Sequence, residues 1–425
     1  MLTLGRARAQ AVVVILMFVG VYAVGILRRG RLVDGFGHVI GTDLLTSRMA
    51  AAMVLDRRGT HLYDFSLQRD YQQAALEPER LPGLNPFIWP PFVALLYLPW
   101  AAVEQGPAMV LWTACSLACL AAAILVTARS APRTGRYWPS TVVISLSFYP
   151  VLEGLMAGSN SLWSLPIFAL MYRSLRAGND AAAGALLGLQ LYRPQLAVAP
   201  LIVFAAKRRW RILAGTAGVG AAWVLLTTLF IGQWAILDWL ALGPALNRMI
   251  FEPGMPYALL SSVSALFLLP LGPGHVGAGM AAGALASLGL LAVLLKVWAG
   301  PWEARADGFA LRFAALLVVS PLVGQYLLLH DLAILVLAAV LLVESSLAEG
   351  AGEVPARVRL VLAVLWLTCL LGPPIITRIV RLPLVPLAVL LLGWVVLDTW
   401  RAAQTRVRAW TICPTPSPPS PARTP

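Results

Sequence analysis

The sequence predicts an all-α polytopic membrane protein, and three observations carry that prediction. Of 425 residues, 59% are hydrophobic and only 12% charged, with a mean hydropathy of +0.79; soluble domains carry about a quarter charged residues. Several apolar runs approach or exceed the roughly 18–20 residues that cross a bilayer as a helix, among them 11–27, 108–128, 212–232 and 276–295. No ten-residue alternation of apolar and polar positions occurs, so helices rather than a closed barrel must satisfy the backbone in lipid. The expected architecture is a bundle of about ten to twelve crossings forming one domain over 1–408, followed by a Pro/Ser-rich, disordered cytoplasmic tail at 409–425.

The net charge of +13 reports topology rather than a nucleic-acid partner. The bases fall in short loops: Arg129, Arg133 and Arg136; Lys207, Arg208, Arg209 and Arg211; Arg357 and Arg359; Arg401, Arg406 and Arg408. Short loops rich in Lys and Arg stay in the cytoplasm. The N-terminus, with Arg6 and Arg8, then lies inside. The first run reads as an uncleaved signal anchor, because it is long and Ala23 and Gly25 offer only a weak small-x-small cleavage site. The cysteines, Cys115, Cys119, Cys369 and Cys413, have neither metal spacing nor the pattern of a disulfide framework. No metal or other cofactor is expected.

After the first helix, residues 28–106 form an outer loop with juxtamembrane helices. Its first part, 28–85, carries eight Arg against seven Asp and Glu. Arg28, Arg29 and Arg31 stand on the unfavoured side of the first helix, but long outer segments translocate largely regardless of charge. The stretch 85–103 is apolar yet broken by Pro86, Pro90, Pro91 and Pro99, which suits an interfacial or re-entrant helix. Helix 107–127 returns to the cytoplasm. Residues 138–172 hold one charge, Glu153, and a polar turn at 153–161, and read as two short spans joined outside. The run 181–206 has basic loops at both ends, so it must turn back, with Arg193-Pro194 as the break. Helix 212–232 exits again, and 257–271 is a second outer-face helix. Spans follow near 276–296, 309–326, 330–343, 360–376 and 383–398. Gly184 with Gly188 and Gly279 with Gly283 allow close helix approach. There is no internal repeat.

Ionisable groups in or beside hydrocarbon are the candidates for function. His330 and Asp331 interrupt the apolar stretch 313–343, which as one helix would run about 45 Å, too long for one crossing. The chain must break between Ser320-Pro321 and Gln325. Asp331 can cap the following helix, or join a site with His330. Arg193, flanked by Tyr192 and Gln195, must face a cavity, a carboxylate such as Glu153, or an anionic ligand. Asp43 heads a segment with helical spacing (Leu44, Leu45, Met49, Met53, Val54), where it or Thr42 would be a natural N-cap. Topology places Asp43, Asn160 and the His330–Asp331 break on one outer face.

Five pieces, in order, carry a resemblance: GTDLLTSRMAAAMVLDRRGTHLYDF at 41–65, PFIWPPFVALLYLP, AGSNSLWSLPIFAL, YRPQLAVAPL followed by KRRWR, and SPLVGQYLLLHDLAIL. Together they span about 40–345 and resemble the GT-C class of integral-membrane glycosyltransferases. They are most similar to glycosyltransferase family 87, the polyprenyl-phosphate-mannose-dependent mannosyltransferases. The resemblance implies a GT-C-like bundle with its active site between the first outer loop and the outer helix ends, and a carboxylate in that loop as general base, which maps onto Asp43. The family often has Gly-Gln-x-Asn where this chain has Gly158-Ser159-Asn160, Lys-Pro-Gln where it has Arg193-Pro194-Gln195, and an aromatic residue near Asp43. These departures bear on sugar and acceptor more than on reaction type.

The implied reaction is inverting transfer of a sugar, mannose by resemblance, from a polyprenyl-phosphate carrier to a hydroxyl of a glycolipid or glycan. It takes place at the outer face of the plasma (inner) membrane. Asp43 would be catalytic, with Arg193, Gln195, His330, Asp331 and Asn160 binding donor phosphate or substrate. A dense carboxylate metal site is absent from the sequence. The rival reading is a transporter or flippase for an amphipathic lipid-linked substrate. It shares the broken helices but predicts repeats that this chain lacks.

Overall fold

The computed structural model describes residues 4–29, 39–77, 80–81, 83–249, 251, 257–306, 308–349, 352–373 and 382–412. The described chain is all-α, with no strand; the backbone of Leu260 bridges that of Leu328. Among the described residues, six helices are long and apolar enough to cross a membrane: Leu4–Val21, Gln105–Ala128, Trp210–Phe230, Pro273–Val297, Leu329–Ala348 and Leu384–Thr405. Counting Trp138–Leu146 and Tyr149–Ala157 as one span, bent by 67°, makes a seventh. The bend falls at Ser147–Phe148, just ahead of Pro150, which has no N–H to continue the ladder.

The other apolar helices are shorter: Ser164–Arg176, Asp180–Leu189, Pro194–Ala206, Gly308–Val323 and Ala356–Leu371. Their contacts sort the bundle into two ends. At one end the basic loops are tied together. Glu344 accepts the Arg133 and Thr134 backbone N–H groups, Arg209 pairs with Asp180, and Arg357 pairs with Asp398. Arg176 and Lys207 donate to the carbonyls of Ala306 and Gly300. At the opposite end the helix breaks meet: Gly158–Ser159, Arg193-Pro194 and 324–328. Helices Ser164–Arg176 and Pro194–Ala206 each run 13 residues from this level to a basic loop, about 20 Å. Helix Gln105–Ala128 has 24 residues, about 36 Å. The breaks therefore lie recessed below its far end.

The recess is covered by Thr42–Leu55, Phe65–Leu76, Phe92–Leu96 and Leu98–Ala101, none long enough to cross. These short helices bury Leu44, Met53, Phe87, Tyr97 and Trp112 in one apolar cluster that also takes in Tyr192 and Ile231. Rings of Tyr97, Trp112 and Trp163 pack mutually at 4.9–5.7 Å between centroids. The main core is formed by the bundle, around Phe168, Phe204, Phe313, Leu332 and Leu392.

In lipid, burial alone does not drive helices together, so close approach and polar contacts matter more. Asp180–Leu189 against Trp210–Phe230 shows this. A Cβ at Gly184 would lie 2.3 Å from the Ile212 carbonyl oxygen, and one at Gly188 would lie 2.5 Å from Val219 Cβ. Thr216 Oγ1 then reaches the Gly184 carbonyl at 3.1 Å. Gly279 and Gly283 make the same kind of approach to Leu268 and Ser264.

Two expectations are corrected. The segment 257–271 is not one outer-face helix: a 3-10 turn (Tyr257–Leu259) leads through the bridge residue Leu260 into a bend and turn, and only Ala265–Leu271 is α-helical. The Ser261 and Val263 N–H groups donate to the carbonyls of Leu327 and Leu322, both at 2.9 Å. Those are groups that the break after Val323 would otherwise leave unpaired, which is costly in a membrane interior. At the other end of the chain the last helix continues to Ile412, so 409–412 are helical; 413–425, the rest of the expected tail, lie outside the described residues.

Candidate functional site

Five separate elements deliver the polar groups of the recess. Asp43 lies in the first turn of Thr42–Leu55, where a carboxylate is favoured by the helix dipole. It does not cap that helix, nor does Thr42. Gly41, at φ +68° and ψ +47°, is the N-cap residue. A side chain at 41 would be strained in that conformation, and its Cβ would come 2.7 Å from Met109 Sδ. Gly41 N–H donates to the Met156 carbonyl at 3.1 Å, tying the helix start to the end of Tyr149–Ala157. The Asp43 carboxylate is thereby left to face the recess. Its Oδ1 accepts from Asn85 Nδ2 at 3.2 Å, and its Oδ2 lies 3.7 Å from His330 Nε2.

Arg193 precedes Pro194 and is extended (φ −127°, ψ 76°), which turns its side chain out of the helix line. The guanidinium is fully buried, and each of its nitrogens faces a polar group. It forms an ion pair with Asp331, donates from Nε to Asn160 Oδ1 at 2.7 Å, and donates from NH2 to Ser159 Oγ at 2.7 Å. Trp89 covers its face, with the guanidinium carbon 4.5 Å from the ring centroid. Asn160 is held in turn, since its carbonyl accepts from Tyr192 at 3.0 Å while Trp112 donates to the Ser159 carbonyl at 3.3 Å. Gly158, at φ +66°, makes this turn; a Cβ there would meet Leu44 Cβ at 2.7 Å.

His330 and Asp331 sit in the 3-10 turn Leu329–Ile334 that follows the break. Asp331 caps this turn, since its Oδ2 accepts from the Leu328 N–H at 3.2 Å, and its Oδ1 faces Arg193. Glu153 is not the partner of Arg193. It bonds His330, with Nδ1 and Oε2 2.7 Å apart.

The structure thus brings together Asp43, Asn160, Arg193, His330 and Asp331. Gln195 stands slightly apart, half-buried against Gly324 at the break, with no hydrogen bond to the cluster. Residues missed as site members are Glu153, Ser159, Asn85 and Trp89. Glu153 had a signal, the lone charge of 138–172, and Trp89 lies in the proline-rich run; Asn85 and Ser159 gave none beyond their neighbours.

Side-chain exposure separates the charged groups: Arg193 0%, Asp331 and His330 2%, Glu153 13% and Asp43 18%. Asp43 is the one most open to a substrate. Two open cavities lie elsewhere. One of about 460 Å³ is lined by Arg176, Arg209, Trp302 and Arg305 at the basic end. Another of about 360 Å³ lies among Thr60, His61, Tyr63 and Asp238. Among the described residues, buried charges from several helix breaks converge at the polar cluster, which makes it the candidate site. The conformation described is closed over Arg193. Among the described residues no group of three or more His, Cys, Asp or Glu is placed to hold a metal ion.

No curated protein and no solved structure matches this chain. The family model of glycosyltransferase family 87 matches residues 87–323, which takes in Trp89, Glu153, Asn160, Arg193 and Gln195 and stops just short of His330. That segment is more than half of the 425 residues, it holds the breaks at Gly158–Ser159 and Arg193-Pro194 but ends just before the one at 324–328, and the chain belongs to glycosyltransferase family 87.

Proposed function

We propose that this glycosyltransferase moves a sugar, mannose in the first instance, from a polyprenyl-phosphate carrier to a hydroxyl of a glycan or glycolipid, with inversion at the anomeric carbon. The observation that carries the reading is the pairing, in one recess, of a partly open carboxylate (Asp43) with a buried guanidinium (Arg193). The two halves of the reaction require these two charges. The acceptor oxygen bonds to the anomeric carbon and gives its proton to Asp43. The carbon–oxygen bond to phosphate breaks, and its electron pair leaves with the phosphate. A phosphodiester of charge about −1 becomes a monoester approaching −2, and that added charge is what Arg193 stabilises.

In the closed conformation Arg193 is already satisfied by Asp331, Asn160, Ser159 and Trp89. A donor phosphate reaches it once the Trp89 ring withdraws or Asp331 is exchanged for phosphate. The apolar helices Phe92–Leu96 and Leu98–Ala101 beside Trp89 suit the polyprenyl chain. The basic loops gathered at the other end of the bundle support a cytoplasmic side there by the positive-inside rule, and with it a recess at the outer face of the plasma (inner) membrane.

The test is transfer by purified, reconstituted protein from polyprenyl-phosphate-[14C]mannose to a panel of glycan and glycolipid acceptors, with Asp43→Asn and Asp43→Ala alongside. Transfer by wild type and its loss in both variants is expected. Undiminished transfer in both would remove Asp43 as the base. No transfer from any lipid-linked sugar, with movement of the lipid across the bilayer instead, would favour a flippase.

A further inference from the structure

His330 lies between two carboxylates, and only one of its ring nitrogens is bonded. Nδ1 is 2.7 Å from Glu153 Oε2. On the other side Nε2 is 3.7 Å from Asp43 Oδ2, beyond hydrogen-bond reach. Neither Nε2 nor Oδ2 has a hydrogen-bond partner among the described residues, although both atoms are shut off from solvent. Buried polar atoms left in this way point to a group that joins them, since each unpaired atom costs about 1–3 kcal/mol. Two atoms 3.7 Å apart can both be reached by a single oxygen lying to one side of the line between them. An oxygen that accepts from Nε2–H and donates its own hydrogen to Oδ2 satisfies both, and that combination of acceptor and donor is what a hydroxyl offers.

Resting on the transfer reading above, we infer that the acceptor hydroxyl is held between Asp43 Oδ2 and His330 Nε2, and that Glu153 is the positioning residue for the imidazole. Asp43 takes the proton, and His330 orients the oxygen lone pair toward the anomeric carbon. His330 thus serves the acceptor, while Arg193 serves the donor phosphate. Glu153 cannot touch the hydroxyl, because His330 stands between them. Its helix also passes close to the base of the His330 side chain: a Cβ at Gly154 would lie 2.9 Å from Ser161 Oγ and 3.4 Å from His330 Cβ. The imidazole is therefore fixed by packing at Cβ and by one hydrogen bond at Nδ1.

Two measurements test this. The first compares Glu153→Leu with Glu153→Gln, which still offers an amide to Nδ1. Displacing an orienting group by about 1 Å costs on the order of 100-fold. Glu153→Leu is expected to lower kcat/KM for the acceptor by about that factor, with donor KM unchanged and Glu153→Gln restoring most of the loss. Equal rates in both variants and wild type, or parallel loss toward donor and acceptor without rescue by Gln, would overturn the assignment. The second does not depend on turnover. A structure of the full chain with methyl α-mannoside, or with water alone, should show an ordered oxygen within about 3.2 Å of both Oδ2 and Nε2. Direct closure of His330 onto Asp43, with no oxygen joining them, overturns the inference. Failure of wild-type transfer with the oxygen present would sink the mannosyl-donor reading alone.

Discussion

Asp331→Asn isolates the Arg193 ion pair with little change of shape. The amide oxygen can still accept the Leu328 N–H, so the 3-10 turn keeps its bond, and only the negative charge beside a fully buried guanidinium is lost. Removing one partner of a buried pair costs about 3–5 kcal/mol, because the other charge stays desolvated. Here Asn160 Oδ1 and Ser159 Oγ remain as acceptors, and the Trp89 face contributes about 1–2 kcal/mol when desolvated. The expected loss is therefore at the low end, about 3 kcal/mol. Equilibrium unfolding in mixed micelles measures it, and Arg193→Gln with the double variant completes a thermodynamic cycle. The double variant should recover at least about 1 kcal/mol relative to the sum of the singles, because no uncompensated charge is left. A loss within about 0.5 kcal/mol of wild type, or simple additivity, would refute the buried pair. The same variant tests the closed state: with Asp331 no longer competing, a polyprenyl phosphate should bind more tightly even as the fold weakens.

Asp43→Asn should lower kcat by about 10²–10⁴-fold with donor KM little changed, read by initial rates in the transfer assay. Trp89→Ala uncovers Arg193, and faster labelling of nearby sites by a water-soluble reagent, against unchanged labelling at the basic end, would report the opening. Gly158→Ala forces a left-handed residue and a 2.7 Å contact with Leu44 into a closed turn, so a drop in Tm together with loss of transfer is expected. Asp64 caps Phe65–Leu76, where the Ser66 hydroxyl and the N–H groups of Leu67 and Ser66 hold its carboxyl below the usual range. A depressed carboxyl stabilises above its unfolded pKa and loses that effect as pH falls through the folded value. Asp64→Ala should weaken amide protection at 65–70 at neutral pH, by about 1 kcal/mol, and make no difference in strong acid.

The bundle was legible in the sequence because hydrocarbon punishes polar backbone and charge so heavily that both leave a mark. Apolar runs announce the long helices, Arg193-Pro194 announces a break, and Gly184 with Gly188 announces a close crossing. What the sequence hid is how the breaks are repaired. Nothing in Ser261 or Val263 says that their N–H groups will serve carbonyls of a segment some sixty residues later. Asp43 was misleading for a related reason. As a residue type it is a good N-cap, and only the left-handed Gly41, wedged beside Met109, takes that duty away.

The same logic explains why Arg193 pairs with Asp331 and not with Glu153, the one carboxylate that the sequence suggested among its possible partners. Arg193 needs a carboxylate, and Glu153, the lone charge of its span, was the natural partner. Asp331 meets that need because the break after Val323 delivers it to Arg193 while its other oxygen caps the new turn. Glu153 is then free for His330, and His330 for Asp43. A single choice of partner by Arg193 thus divides the recess into one side built on Asn160, Ser159 and Asp331, which we propose serves the phosphate, and another built on Glu153, His330 and Asp43, which we propose serves the hydroxyl. Returning Arg193 to Glu153 would collapse both. The division follows from packing one guanidinium and three carboxylates so that no buried charge stands alone.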